Sequence, residues 1–316
     1  MKNIYFGMMQ TLGDIIASTA IIRTIKEKYP ESKITYAVGN GYVDVLKNNP
    51  DIAEIIPCQA PQEIVLRAGE KEYDKVFLPL MLTQEDTMWH QRTPWCLPGD
   101  RHNLVDMYAE KCGDDLKIEN RRTYIYPTDK EWNELVAQVP EEKRTIFETL
   151  PFITIHTSSR LESKDWPAAS FDELIARIHN HFGGKFGIYQ IGGKDDKQLR
   201  APVIPLMGTP ILHTAAIIKR SLFHIDIDSG PSFIADSLDV PTLCILGSTT
   251  KDIAGPIGPN TTFIEPDSRK CIGTATHCAC VTHCLIKEDC IKTISVDRVF
   301  KEAIKILEPI VAKLNG

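Results

Sequence analysis

The hydrophobic pattern of this chain is one of short apolar runs alternating with wider amphipathic stretches. Asn3–Met8 forms a first apolar run that predicts a buried strand. After the turn Gln10-Thr11-Leu12-Gly13, a helix is predicted from Asp14 to about Tyr29. Ile15, Ile16, Ala20, Ile21, Ile22 and Ile25 give it the broad apolar face of a helix laid on a sheet. The rhythm repeats with strands at Lys33–Val38, Ala53–Ile56 and Asp74–Leu80, and helices at Tyr42–Asn48 and Gln62–Ala68. Strands alternating with helices predict parallel, doubly wound sheets, an α/β class. A helix is predicted at Asn103–Cys112, an extended edge at Arg122–Tyr126 and a helix at Asp129–Val139. The charged segment Glu141–Thr149, between Pro140 and Pro151, marks a domain boundary, giving units at 1–148 and 149–316. The second unit restarts the rhythm with strands at Phe152–His156 and Lys185–Ile191 and helices at Phe171–His181 and Thr209–Lys219. It continues through the strand Leu222–Ile227, the helix Pro231–Leu238 and the strand Thr242–Leu246, and closes with a helix over Ser295–Leu314.

Two breaks in this rhythm stand out. Leu82–Asn103 is long for a connection and carries Trp89, His90, Arg92, Trp95, Arg101 and His102, a mixture suited to stacking on sugars and gripping anions. Cys271, Cys278, Cys280, Cys284 and Cys290 gather late in the chain at spacings that fit no standard zinc pattern. Free thiols are the expectation there, with a metal cluster on Cys278, Cys280, Cys284 and Cys290 as the minor alternative.

Composition narrows the function class. Of the 316 residues, 43% are apolar and 25% charged, the balance of a globular domain pair, and the net charge of -6 offers no basic field for nucleic acid. No apolar run approaches a membrane span. The N-terminus enters a strand directly, so no cleaved signal is expected, and the nine cysteines are read as mostly reduced thiols in cytosol. Gly187 and Gly192 have P-loop spacing, but Gly193 occupies the Lys position. No G-x-G-x-x-G follows the first strand, which disfavours a dinucleotide oxidoreductase.

Three strings carry candidate chemistry, all where a strand end meets a helix start. Asp14 follows Thr11 and Gly13. As a bare sequence feature it is a helix cap, and its other reading is a general base within reach of a hydroxyl. Ser158 and Ser159 precede Lys164-Asp165-Trp166-Pro167. Asp228-Ser229-Gly230-Pro231 starts a helix, where backbone N–H groups and hydroxyls can seat phosphate oxygens, and Gly230 is read as permitting a tight turn. Thr249 sits in the small-residue loop after the following strand.

Together these strings resemble glycosyltransferase family 9, the ADP-heptose:lipopolysaccharide heptosyltransferase family. The resemblance rests on Gly13-Asp14, on the hydroxyl pair with Lys164-x-Trp166-Pro167, and on Asp228-Ser229-Gly230-Pro231 with Val240-Pro241, Gly247-x-Thr249 and Gly255-Pro256. It implies the GT-B fold, two Rossmann-like domains facing a cleft, with the last helix turning back toward the first domain. It implies inverting, metal-independent transfer of a heptose-like sugar from an ADP-sugar to a lipopolysaccharide core or related glycan. Asp14 would be the base and Lys164 the diphosphate cation. Ser158, Ser159, Asp228, Ser229, Gly230 and Thr249 would hold the donor, and Thr11, Gly13, Arg92 and Arg101 the acceptor. No cofactor is implied, and the enzyme would act in the cytoplasm, with peripheral contact at the cytoplasmic face of the inner membrane as a further expectation. One departure is Phe233, where the family usually has His. Another nucleotide-sugar donor, an epimerase, or a non-catalytic nucleotide-sugar-binding protein are the alternatives.

Overall fold

A computed structural model of the chain describes residues 1–80, 103–113, 116–267 and 290–314. The first sheet holds β1 (Asn3–Met8), β2 (Lys33–Gly39), β3 (Glu54–Cys58) and β4 (Lys75–Phe77), all parallel, in the order β3-β2-β1-β4. The second holds β5 (Phe152–Ile155), β6 (Gly187–Gly192), β7 (Ile204–Met207), β8 (His224–Ile227), β9 (Thr242–Ile245) and β10 (Thr261–Ile264). These too are parallel, in the order β10-β9-β8-β5-β6-β7. Read from its far edge, the second sheet has the doubly wound strand order, and the first sheet is the opening four strands of the same order. This is the α/β, two-sheet GT-B architecture expected. The order reverses between β1 and β4, and again between β5 and β8. Connections leave in opposite directions at such a point, opening a crevice at the strands' carboxyl ends.

The helices are α1 (Leu12–Lys28), α2 (Val43–Leu46), α3 (Pro61–Ala68), α4 (Leu104–Lys111), α5 (Asp129–Gln138) and α6 (Glu141–Thr149), followed by α7 (Ala168–Phe182), α8 (Ile211–Arg220), α9 (Gly230–Ser237), α10 (Lys251–Ala254) and α11 (Val296–Leu314). None of the described helices is long and apolar enough to cross a membrane. One apolar cluster runs from the first sheet through α1 and α4 to α8 and α9, and on to Phe152, Tyr189 and Ile191 of the second sheet. The two halves therefore share a core. The second sheet's other face is covered by α7 and α11.

Several expectations change. The closing helix α11 buries Val299, Ala303, Leu307 and Val311, a stripe at four-residue spacing, in the same cluster as Phe171, Leu174 and Ile178 of α7. Its buried face thus belongs to the second half and does not turn back toward the first. The predicted edge at 122–126 joins neither sheet. Thr123 and Ile125 are buried, which gives the alternation of a strand, but the partners are side chains of both halves. The Tyr124 N–H donates to Thr19 Oγ1 at 2.8 Å, Thr123 Oγ1 bonds Ser237 Oγ at 2.6 Å, and Arg122 pairs with Asp239. The strand at 74–80 shrinks to Lys75–Phe77, and the helix at 42–48 to Val43–Leu46.

The halves meet most closely where α1 and α9 begin. A Cβ placed on Gly230 would lie 2.5 Å from Leu12 Cγ, and one on Gly13 would lie 3.2 Å from the Phe233 ring. Gly230 is not among the glycines with positive φ, so what requires glycine here is close approach, not the tight turn expected from the sequence. Gly230→Ala should destabilise the protein by about 1–3 kcal/mol through overpacking. Thermal unfolding should show a lower Tm for Gly230→Ala and partial recovery when Leu12→Ala is added. Strict additivity of the two losses would refute the contact.

Candidate active site

Each half brings the carboxyl end of its first strand to the cleft. In the first half, the chain leaves β1 and turns into α1. The Thr11 N–H and hydroxyl both donate to Asp14 Oδ2, at 3.1 and 2.6 Å. The capping role is therefore real. The other oxygen, Oδ1, accepts from Tyr108 Oη of α4 at 2.8 Å. Asp14 is 7% exposed and Tyr108 is fully buried. Burial, and then the Asp14 charge, push the Tyr108 phenol well above its usual pKa, so it remains a proton donor.

In the second half, the loop after β5 carries Ser158, Ser159 and Lys164. It is folded on itself: the Ser159 N–H donates to Asp165 Oδ1 at 2.7 Å, and Ser159 Oγ accepts from the Leu161 N–H at 3.3 Å. Lys164 ends a single 3-10 turn, and its Nζ lies 2.7 Å from Asp228 Oδ2. The same oxygen accepts from the Thr249 hydroxyl at 2.5 Å. Thr249 is 1% exposed, so its side chain braces Asp228 and does not form part of the cavity wall.

Past β8, the Ser229 hydroxyl donates to both oxygens of Asp226, at 2.8 Å each. That leaves the backbone N–H groups of the first turn of α9 as what this helix start presents. Asp226 also lies 2.9 Å from His156 Nδ1, and His156 Nε2 is 3.7 Å from Asp196. Burial alone would lower the His156 pKa, but Asp226 and Asp196 outweigh it and raise it to about 9. Burial alone would raise Asp226, but His156 and His224 hold it at about 2. The pair is a buried imidazolium–carboxylate.

These groups enclose a cavity of about 600 Å³, within the usual range for small-molecule sites. Thr11, Gly13 and Asp14 line it from the first half, and Ser158, Ser159, Lys164, Asp228, Ser229 and Gly230 from the second. Phe233 and Ile234 supply an apolar wall. A second cavity of about 460 Å³ shares Gln10, Thr11, Tyr42 and Arg160 with it and extends to Asn40 and Gln59. Arg160, from the second half, donates to Tyr42 Oη of the first at 2.8 Å. Arg92, Arg101, Cys278, Cys280 and Cys284 lie outside the described residues, and Cys290 sits half-buried in one 3-10 turn. Sequence reasoning missed Tyr108, His156 and Asp226 as members of the site. The position of His156 just past the end of β5 was the available signal.

Comparison with known proteins agrees with this geometry. The profile of glycosyltransferase family 9 (heptosyltransferase) matches residues 121–280, just over half of the chain. Lipopolysaccharide heptosyltransferase 3 of Escherichia coli is 20% identical over 288 residues, covering 76% of this chain and 82% of that protein. A glycosyl transferase of family 9 from Veillonella parvula superposes with a TM-score of 0.73 at 19% identity, covering 98% of each chain. The E. coli ADP-heptose LPS heptosyltransferase II gives 0.68 at 15% identity, covering 98% of this chain and 99% of that one. The fold and cleft are those of a two-domain glycosyltransferase. The chain belongs to glycosyltransferase family 9.

The buried pair generates a pH prediction. The folded pKa of His156, about 9, lies above its ordinary value of 6.5. Its contribution to stability is therefore complete below about pH 6.5 and lost as pH rises through 9. Asp226, lowered from 3.8 to about 2, contributes above about pH 4 and loses that contribution as pH falls through 2. Calorimetric Tm should fall from pH 6.5 to 9 more steeply in the wild type than in His156→Gln. Parallel curves would show that the pair does not form.

Proposed function

We propose that this glycosyltransferase moves a heptose-like sugar from an ADP-sugar to a lipopolysaccharide core or related glycan, with inversion and without a divalent metal. The observation that carries the reading is that Asp14 from the first half and the Lys164–Asp228 pair from the second line one cavity. The donor diphosphate would lie at the start of α9 and beside Lys164, with Ser158, Ser159 and the Ser229-Gly230 backbone around it. A dianion there would draw Lys164 partly away from Asp228, leaving that carboxylate to accept bonds from sugar hydroxyls. The ADP-heptose donor is supported by the E. coli enzyme of similar fold, which is described as acting with that sugar.

In this reading Asp14 Oδ1 takes the proton of an acceptor hydroxyl as that oxygen bonds the anomeric carbon. The bond from that carbon to the diphosphate oxygen breaks on the opposite face, and its electron pair leaves with the nucleotide. A single displacement of this kind inverts the centre. Lys164 and the helix start would carry the developing phosphate charge that a metal carries elsewhere. The first half, up to the segment 141–149, would take the acceptor. The second cavity, with Arg160, Asn40 and Gln59 on its wall, supports a polar, anionic glycan there. Phe233 is 2% exposed and gives the donor site an apolar surface where the family usually has His.

The test is donor release and glycan transfer in EDTA with a panel of ADP-, UDP-, GDP- and CMP-sugars. ADP-heptose should be turned over onto a truncated core acceptor. Asp14→Ala should lose about 10²–10⁴-fold in kcat and Lys164→Ala about 10²–10³-fold. Turnover that stops in EDTA and returns with a metal would refute the metal-free step. Binding without turnover on any acceptor would favour a nucleotide-sugar-binding protein.

A further inference from the structure

Asp14 is held by an unusually complete set of donors. A carboxylate offers about four lone-pair positions. Thr11 occupies two of them on Oδ2, and Tyr108 occupies one on Oδ1. One position on Oδ1 is left, on a residue that forms part of the cavity wall. The oxygen with a free lone pair is thus the one that Tyr108 touches. Tyr108 reaches it from a different element, 94 residues away, with its ring in the shared core.

The helix that carries Tyr108 is itself fixed across the cleft. Asn103 caps α4 by accepting from the Val105 N–H at 3.1 Å, and its amide donates to the Gly255 carbonyl of the second half at 3.1 Å. Gly255 ends α10, which follows the loop holding Thr249 and, through it, Asp228. The base and the donor-side carboxylate therefore have supports that are tied together.

We propose that Tyr108 is the positioning residue for the base: it orients the Asp14 carboxylate so that the remaining Oδ1 lone pair meets the acceptor hydroxyl. The inference rests on Asp14 being the base. Among the described residues, the titratable and charged groups that share the cavity with Asp14 include Tyr42, His156, Arg160 and Asp196. Tyr108 comes from α4. Tyr36 of β2 bonds Ser18 one turn along α1. Lys164 and Asp228 stand on the same cavity wall from the second half. The start of α9 faces α1 with Gly230 and Phe233, which do not titrate.

The experiment compares the full-length wild type with Tyr108→Phe, Asn103→Ala and Asp14→Ala, using the ADP-sugar and acceptor that the wild type turns over. Tyr108→Phe should lower kcat by about 10–100-fold, part of what a general base supplies, with both KM values within about threefold. Removing a donor from a carboxylate disfavours its charged form, so the acid limb of the kcat profile should move to higher pH. Asn103→Ala should move kcat and the acid limb in the same directions by smaller amounts. If Tyr108→Phe does not fold, 3-fluorotyrosine placed at 108 keeps the shape with a more acidic phenol, and the limb should then move to lower pH. An unmoved acid limb with kcat within twofold of wild type in the folded variant, while Asp14→Ala is inactive, would make Tyr108 a core residue only. Full activity in Asp14→Ala would overturn both the base and its positioning residue.

Discussion

The contact on which the rest of the site depends is the meeting of two helix starts, α1 from the first half and α9 from the second. Each sheet could build a crevice at its own switch point without the other. Only because Leu12 sits against Gly230, and Phe233 against Gly13, do the two crevices become one cavity. Side chains at both glycine positions would hold the backbones apart. The shared apolar cluster through α1, α8 and α9 makes this approach part of the core, not a surface touch. The strap at 122–126, bonded to Thr19 on one side and Ser237 on the other, reinforces it further along the same helices.

Charge within the second half follows one rule: each buried carboxylate at the cleft has a cation or several donors. Asp226 has His156 and Ser229, and Asp228 has Lys164 and Thr249. Carboxylates taken out of water without such partners would be costly or would protonate. The two pairs differ in what they can do next. Asp226 is fully buried and holds His156, which lines the cavity, so this pair stiffens the strand ends beneath the site. Lys164 is 17% exposed on the cavity wall, so its partner can change when an anion arrives.

Much of the architecture was legible in the sequence because it is written in local runs. β1, β5 and β8 are short, and the chemistry-bearing strings follow them directly, so Asp14, Lys164 and Asp228 could be named once the family resemblance was added to their position. What could not be read is whatever depends on a partner distant in sequence. Tyr108 lies within a helix whose apolar face explains it adequately, and nothing near it points to Asp14. Asp226 lies inside β8, and its role with His156 rests on a contact 70 residues apart. Ser229 was expected to offer its hydroxyl to phosphate, and that hydroxyl is turned onto Asp226. The strands β7 and β10 are four-residue edge strands; β7 is half-exposed with Pro205 inside it, and β10 opens on two threonines, so neither rises above its surroundings.

The same two helix starts also separate the roles of the halves. Both N-termini point their positive ends at the cavity, but only one is quenched. α1 carries Asp14 in its first turn, bonded to Thr11, whereas the first turn of α9 holds no acid. An incoming diphosphate would meet the unneutralised Asp14 carboxylate at α1, and at α9 backbone N–H groups beside a carboxylate, Asp228, that Lys164 already neutralises. In the proposed reading, the donor's charged portion would therefore fit the second half better than the first. The acidic end of the cavity would be left to a neutral hydroxyl, the kind of group a carboxylate can accept from and deprotonate. The difference between the two helix starts exists before any sugar binds, and in that reading it would orient donor and acceptor across the cleft.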